Sequence, residues 1–129
     1  MTSLFEQPIH LGRGGRTSIE PPFTGEDWYE TYASRHPDDG AEGRLVSMYR
    51  FEESWGSWEM HPAGDEVVLC IEGTMTLHQQ LADGTDHTFE LAAGDYAINP
   101  PGAWHTADCS GPVVALFITS GEGTTHRPR

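Results

Sequence analysis

Residues 58–66, Trp-Glu-Met-His-Pro-Ala-Gly-Asp-Glu, decide how this chain is read. Glu59 and His61 stand two residues apart. On a β-strand, side chains at i and i+2 share a face, so both are expected to point the same way. Pro62-Ala63-Gly64-Asp65 is turn chemistry, after which Glu66 opens a returning strand on the same side. Further along, Asn99-Pro100-Pro101-Gly102-Ala103-Trp104-His105 is a Pro/Gly turn followed by one more imidazole. Two carboxylates and two imidazoles suit a hard or borderline divalent ion. If all four bind, the carboxylates cancel the dipositive charge, which favours manganese, iron or zinc over copper and lowers the Lewis acidity of the ion. The expectation is therefore one divalent ion per chain, held by Glu59, His61, Glu66 and His105. Glu59 has a second reading, as a general base or the partner of an arginine.

Outward from this stretch, short runs bounded by Gly, Pro, Asp or Ser recur along the chain. Strands are expected over 45–51, 55–61, 66–71, 74–81, 87–91, 95–98, 104–108 and 113–119, the spacing of an all-β sandwich or barrel. Glu72-Gly73 and Asp83-Gly84 are expected to be hairpin turns. Residues 1–24 read as an irregular arm, broken by Gly12, Gly14, Gly15 and Pro21-Pro22 but apolar enough, through Leu4, Phe5, Ile9 and Leu11, to dock on something. A short helix is expected over 27–35, stopped by Pro37. Residues 1–44 thus form an arm with a helix, 45–120 a barrel, and 121–129 a polar tail. His126 in that tail either folds back over a barrel mouth or belongs to a disordered terminus.

The chain has 129 residues, enough for one core, and a formal net charge of −13. That balance argues against nucleic acid and against an anionic membrane surface, which need a basic patch. All seven basic residues are arginines. Without lysine, Schiff-base chemistry, pyridoxal attachment and a Walker-type phosphate loop are excluded. Two cysteines are too few for a disulfide framework. The first ten residues carry no signal-peptide pattern, and no apolar run reaches the ~20 residues that span a bilayer, so a cytoplasmic protein is expected.

The two motifs resemble those of a single-domain cupin over roughly residues 45–119. His61, Glu66 and Gly73 match the first cupin motif; Gly94, Pro100, Gly102 and His105 match the second, position by position. Two positions depart: Glu59 stands where the first histidine of a His-x-His pair is usual, and Cys109 where an asparagine often ends the second motif. The resemblance implies a double-stranded β-helix (jelly-roll) barrel and a metal-dependent enzyme acting on a small organic molecule. Dioxygenases, isomerases, epimerases, decarboxylases and lyases all use this scaffold, with a dioxygenase-type oxidoreductase favoured here. The alternative is a non-catalytic binding or sensory module. By strand parity Trp55, Cys70 and Cys109 share the ligand face and are candidates to wall a substrate pocket. Core packing is the other reading, and for the cysteines burial as inert thiols. Trp58 and Trp104 fall on the opposite face. A homodimer is expected, with an N-terminal strand added to the neighbouring subunit's sheet; the alternative is an arm that wraps its own barrel.

Overall fold

The computed structural model describes residues 2–129. Its strands are β1 Ile9–Leu11, β2 Thr17–Ile19, β3 Arg44–Phe51, β4 Ser57–Met60, β5 Glu66–Glu72, β6 Thr74–Gln80, β7 Asp86–Ala92, β8 Tyr96–Asn99, β9 Trp104–Asp108, β10 Val113–Thr119 and β11 Thr125–Pro128; one α-helix, α1 Asp27–Arg35, lies between β2 and β3. They form two antiparallel sheets, ordered β2-β1-β3-β10-β5-β8 and β11-β4-β9-β6-β7. This is the all-β jelly-roll expected from the sequence.

Alternation of side chains builds the interior. Val68, Cys70, Ala97, Ala115 and Phe117 from the first sheet meet Met75, Leu77, Leu91 and Ala107 from the second in one buried apolar cluster. Along the same inward faces the chemistry changes at one level of the barrel. Glu66, Asn99 and Thr119 are register partners in the first sheet. Gln79, His105, Glu59 and His126 are register partners across four strands of the second. The barrel thus has a closed apolar end and a polar tier beside an open mouth.

The connections depart from expectation in three places. Asp83-Gly84 does turn a hairpin between β6 and β7, but Glu72-Gly73 carries the chain from one sheet to the other. Gly73 has φ 81°, and a Cβ there would collide with the Pro112 carbonyl oxygen, so only glycine fits. Residues 125–128, expected as polar tail, form β11 on the edge of the second sheet, where Arg127 lies over the Trp104 ring at 4.4 Å and the Trp58 ring at 5.5 Å. Those two tryptophans face outward, as parity required. Finally, β1 pairs with β3 of its own barrel and β2 with β1, so the arm extends its own sheet. The argument for a dimer from an unplaced arm is removed.

The helix roofs the open mouth. Trp28 and Tyr32, one turn apart, stack with centroids 5.6 Å apart, and Arg35 continues the stripe over Trp28. Trp28 is buried and its indole N–H donates to Pro21 O at 3.0 Å. Buried Glu20 takes Arg35 Nε at 3.1 Å and His36 Nε2 at 3.0 Å. Among the described residues no helix is long and apolar enough to cross a membrane.

Candidate metal centre

Three strands deliver the four candidate ligands. Glu66 is the first residue of β5, His105 lies in β9, Glu59 in β4, and His61 immediately follows β4, its carbonyl accepting from Gly102 N at 3.2 Å in the Pro/Gly turn. His61, Glu66 and His105 are buried. The structure brings together all four residues singled out in the sequence. Nε2 of His61 lies 3.1 Å from Glu66 Oε2, and Nε2 of His105 lies 3.1 Å from Glu66 Oε1. Glu59 is looser, with Oε2 3.6 Å from His105 Nε2 and Oε1 3.9 Å from His61 Nε2.

The surrounding hydrogen bonds fix what these atoms can do. Thr124 Oγ1 donates its single proton to Gly121 O at 2.8 Å, so at 2.7 Å from His61 Nδ1 it accepts the ring N–H. That leaves Nε2 of His61 with a lone pair aimed at the tier. Glu66 is oriented at both oxygens: Asn99 Nδ2 donates to Oε1 at 3.0 Å and Thr119 Oγ1 to Oε2 at 2.6 Å. Asn99 is itself held by Gln79 Nε2, at 2.7 Å from Oδ1. Neither 3.1 Å contact of the imidazoles has hydrogen-bond alignment, so Nε2 of His61 and both ring nitrogens of His105 are buried without a hydrogen-bond partner.

Electrostatics make the strain explicit. Burial alone would raise the Glu66 carboxyl, but His105 and His61 beside it outweigh burial and hold it well below the usual carboxylate range. Burial alone would depress His105, yet the adjoining Glu59 and Glu66 carboxylates push it up to about 9. A divalent cation fits this donor set. One ligand atom each from Glu59, His61 and His105 lies within 4.8 Å of the others, and Glu66 is 3.1 Å from both imidazoles. Ligand atoms about 2.0–2.1 Å from an ion stand about 2.9–3.4 Å apart in octahedral or tetrahedral arrangement.

Above the tier a cavity of about 1040 Å³ opens between the barrel and α1. Trp55 lines it, its ring 6.4 Å from that of His105 and 6.0 Å from that of Phe117. Cys70 and Cys109 do not line it. They have the right parity but the wrong depth: each lies four residues along its strand from Glu66 or His105, about 13 Å toward the closed end. There Cys70 is buried in the core and Cys109 packs against it; burial pushes the Cys70 thiol up, with Asp95 adding to it. His126, in contrast, reaches the site, its Nε2 3.3 Å from Glu59 Oε1. Of the two readings of His126 from the sequence, this is the fold-back over the barrel mouth.

The remaining site residues missed in sequence are Gln79, Asn99, Thr119 and Thr124. Inward parity with Leu77, Ala97 and Phe117 marks the first three as polar groups facing the interior, of which Gln79 and Asn99 are buried and Thr119 half-buried. A second grouping, His10, His36 and Asp39, also gathers within ligand range. Its atoms are committed elsewhere: His10 bonds Tyr32 at 2.7 Å and Asp39 at 2.6 Å, and its ring stacks on His36 at 3.7 Å. It fastens the arm to α1.

A two-sheet barrel with two imidazoles and two carboxylates at its open end defines a class of small barrel proteins built around a polar, metal-competent interior. The cupin domain family matches residues 48–125, and the chain belongs to it. No curated protein sequence is matched. Solved structures sharing the fold include hydroquinone 1,2-dioxygenase from Sphingomonas sp. TTNP3 with 4-hydroxybenzoate bound, at 21% identity and TM-score 0.51 over 59% of each chain. Oxalate oxidase aligns at 14% identity and TM-score 0.56, over 64% of this chain and 45% of the other. Bacillus subtilis oxalate decarboxylase, described with Mn(II) centres, aligns at 20% and 0.56, over 74% and 26%. This chain therefore spans between a quarter and three-fifths of the length of these proteins.

Proposed function

We propose that the polar tier holds one divalent ion through His61, Glu66 and His105, with Glu59 as fourth donor, and that the protein is a metal-dependent enzyme acting on a small organic molecule admitted by the cavity. The observation that carries this reading is the pair of buried imidazole nitrogens, His61 Nε2 and His105 Nε2, facing one doubly anchored carboxylate with no hydrogen bond between them. A bound ion would supply a Lewis-acidic position and, as iron or manganese, electron exchange with dioxygen. Asn99 and Thr119 keep Glu66 oriented, Thr124 keeps His61 in its Nδ1–H form, and Trp55 and Phe117 exclude water from the floor. An oxidation of dioxygenase type is the reaction we favour, by analogy of fold with the hydroquinone dioxygenase.

One observation supports a second reaction class. The Glu59 side chain is 28% exposed and contacts His126 on its cavity side, so it is placed to move a proton as the base of an isomerase or lyase. Metal analysis of the purified protein and of His61→Ala and His105→Ala, with oxygen uptake on a panel of small molecules, tests the proposal. Full metal retention in both variants would refute it. Loss of activity with metal retained in Glu59→Gln would make Glu59 the base.

We also propose a homodimer, on a different ground from the arm. On the outer face of the second sheet His78 and Arg129 pair with Asp108, and Arg127 covers the Trp58 and Trp104 rings. The outer face of the first is apolar across four strands: Met48, Leu116, Ile118, Leu69, Tyr96 and Ile98 lie on neighbouring strands and are half-buried or exposed. Such a patch is unusual on a monomer, and two copies packed face to face would cover it.

A further inference from the structure

Five carboxylates border the cavity above the tier, and its basic lining groups are the imidazoles of His10, His36, His61 and His126. Glu59 and Glu66 stand at its floor, Glu26 just before α1 and Glu30 on it at the rim, and Glu122 in the turn before β11. Among the described residues no arginine lines it, and the sequence contains no lysine. The arginines are engaged elsewhere: Arg35 with Glu20, Arg127 over Trp104, Arg129 with Asp108. A divalent ion at the floor balances two of the five carboxylates, and three remain. Beyond that ion, or His105 in the metal-free chain, an anionic ligand would give up its hydration in a cleft with no arginine or lysine and a negative rim.

The walls point the same way. Tyr49 and Trp55 face the cavity from the barrel, Phe117 lies behind them, and Tyr29 comes from α1. Their rings offer apolar area and electron-rich faces, which suit a flat aromatic body and repel a carboxylate laid against them. Tyr29 and Tyr49 join their hydroxyls at 2.6 Å. Two phenols so joined use one proton between them, and the second has no protein acceptor among the described residues, so it is available to a ligand hydroxyl or carbonyl.

We infer that this cavity selects an aromatic molecule carrying no negative charge, and that it rejects simple carboxylates despite the fold it shares with oxalate oxidase. The inference rests on reading the cavity as the substrate site, but not on metal uptake or turnover. The test is binding of benzyl alcohol, benzylamine, benzoate and oxalate to the full chain at pH 7, metal-free and zinc-loaded, by saturation-transfer NMR and tryptophan fluorescence. Benzyl alcohol and benzylamine should bind at least ten-fold more tightly than benzoate or oxalate in both forms, and Tyr49→Ala should weaken them several-fold. Tyr29→Arg, which sets a cation at the rim, should raise benzoate affinity about ten-fold relative to that of benzyl alcohol. Benzoate or oxalate binding as tightly as benzyl alcohol in either form would overturn the inference, as would absence of aromatic binding in both. Failure to take up metal or to turn over leaves these ratios untouched, so the two readings fail separately.

Discussion

If the tier holds the proposed ion, removing it should reverse the sign of the protein's response to alkali. In the metal-free chain His105 is buried between Glu59 and Glu66 and protonates at about 9, against an ordinary value of 6.5. A group whose folded value lies above its unfolded value contributes stability that is complete below the unfolded value and is lost as pH rises through the folded one. The gap of about 2.5 pH units corresponds to about 3 kcal/mol. For a domain of this size that is a fall of about 10 °C in the unfolding midpoint between pH 6.5 and 9. Glu66 works in the other direction: held below its ordinary 4.5, it contributes above that pH and is lost in acid. The metal-free protein should therefore be most stable between about pH 4.5 and 6.5. With an ion bound, both imidazoles must be unprotonated to ligate, so at fixed free metal stability should rise over the same interval. Thermal melts followed by circular dichroism from pH 5 to 9.5, with chelator and with added zinc, give both slopes. A flat metal-free profile between pH 6.5 and 9, or the same slope in both forms, would refute the electrostatic account of the tier.

Three other outcomes follow from particular contacts. Asn99→Ala removes the donor that orients Glu66 Oε1 and frees Gln79, and should weaken metal affinity about 10–100-fold with the fold intact, read by competition with a chelating dye. Ile98→Glu places a charge in the apolar outer face of β8 and should convert a dimer to a monomer by light scattering; a monomeric wild-type protein at micromolar concentration would exclude the dimer. Gly73→Ala forces a Cβ onto the Pro112 carbonyl at a positive φ and should cost about 3 kcal/mol or more in urea unfolding.

The barrel was legible because inward positions of β3, β5, β6 and β10 alternate with outward ones. The helix was legible because Pro37 ends it and Trp28 and Tyr32 share a face. The arm's strands and β11 were not: Ile-His-Leu, Thr-Ser-Ile and Thr-His-Arg-Pro are too short to carry a period and exist through pairing with β3 and β4. At the site, two-residue spacing put Glu59 and His61 on one face, while the turn at 62–65 and the second motif added Glu66 and His105; the four side chains stand close together in the structure. Spacing could not state depth along a strand, which is why Cys70 and Cys109 share parity with the tier yet belong to the closed end. Parity with Leu77 and Ala97 points Gln79 and Asn99 inward, but nothing in the sequence says that they support Glu66.

The roof of the cavity and its floor are written in different parts of the chain. The tier is made by strands of the barrel, whereas Tyr29 and Tyr32 stand on a helix fastened chiefly to the arm, through His10, Glu20 and Pro21, and to the barrel through the Tyr29–Tyr49 hydroxyl pair. Changes within 27–36 can reshape what the cleft admits while the chemistry below keeps its geometry. On the proposed function, selectivity and reactivity would in this sense be separately inheritable, and a barrel of this kind carrying another arm would be free to admit quite different molecules.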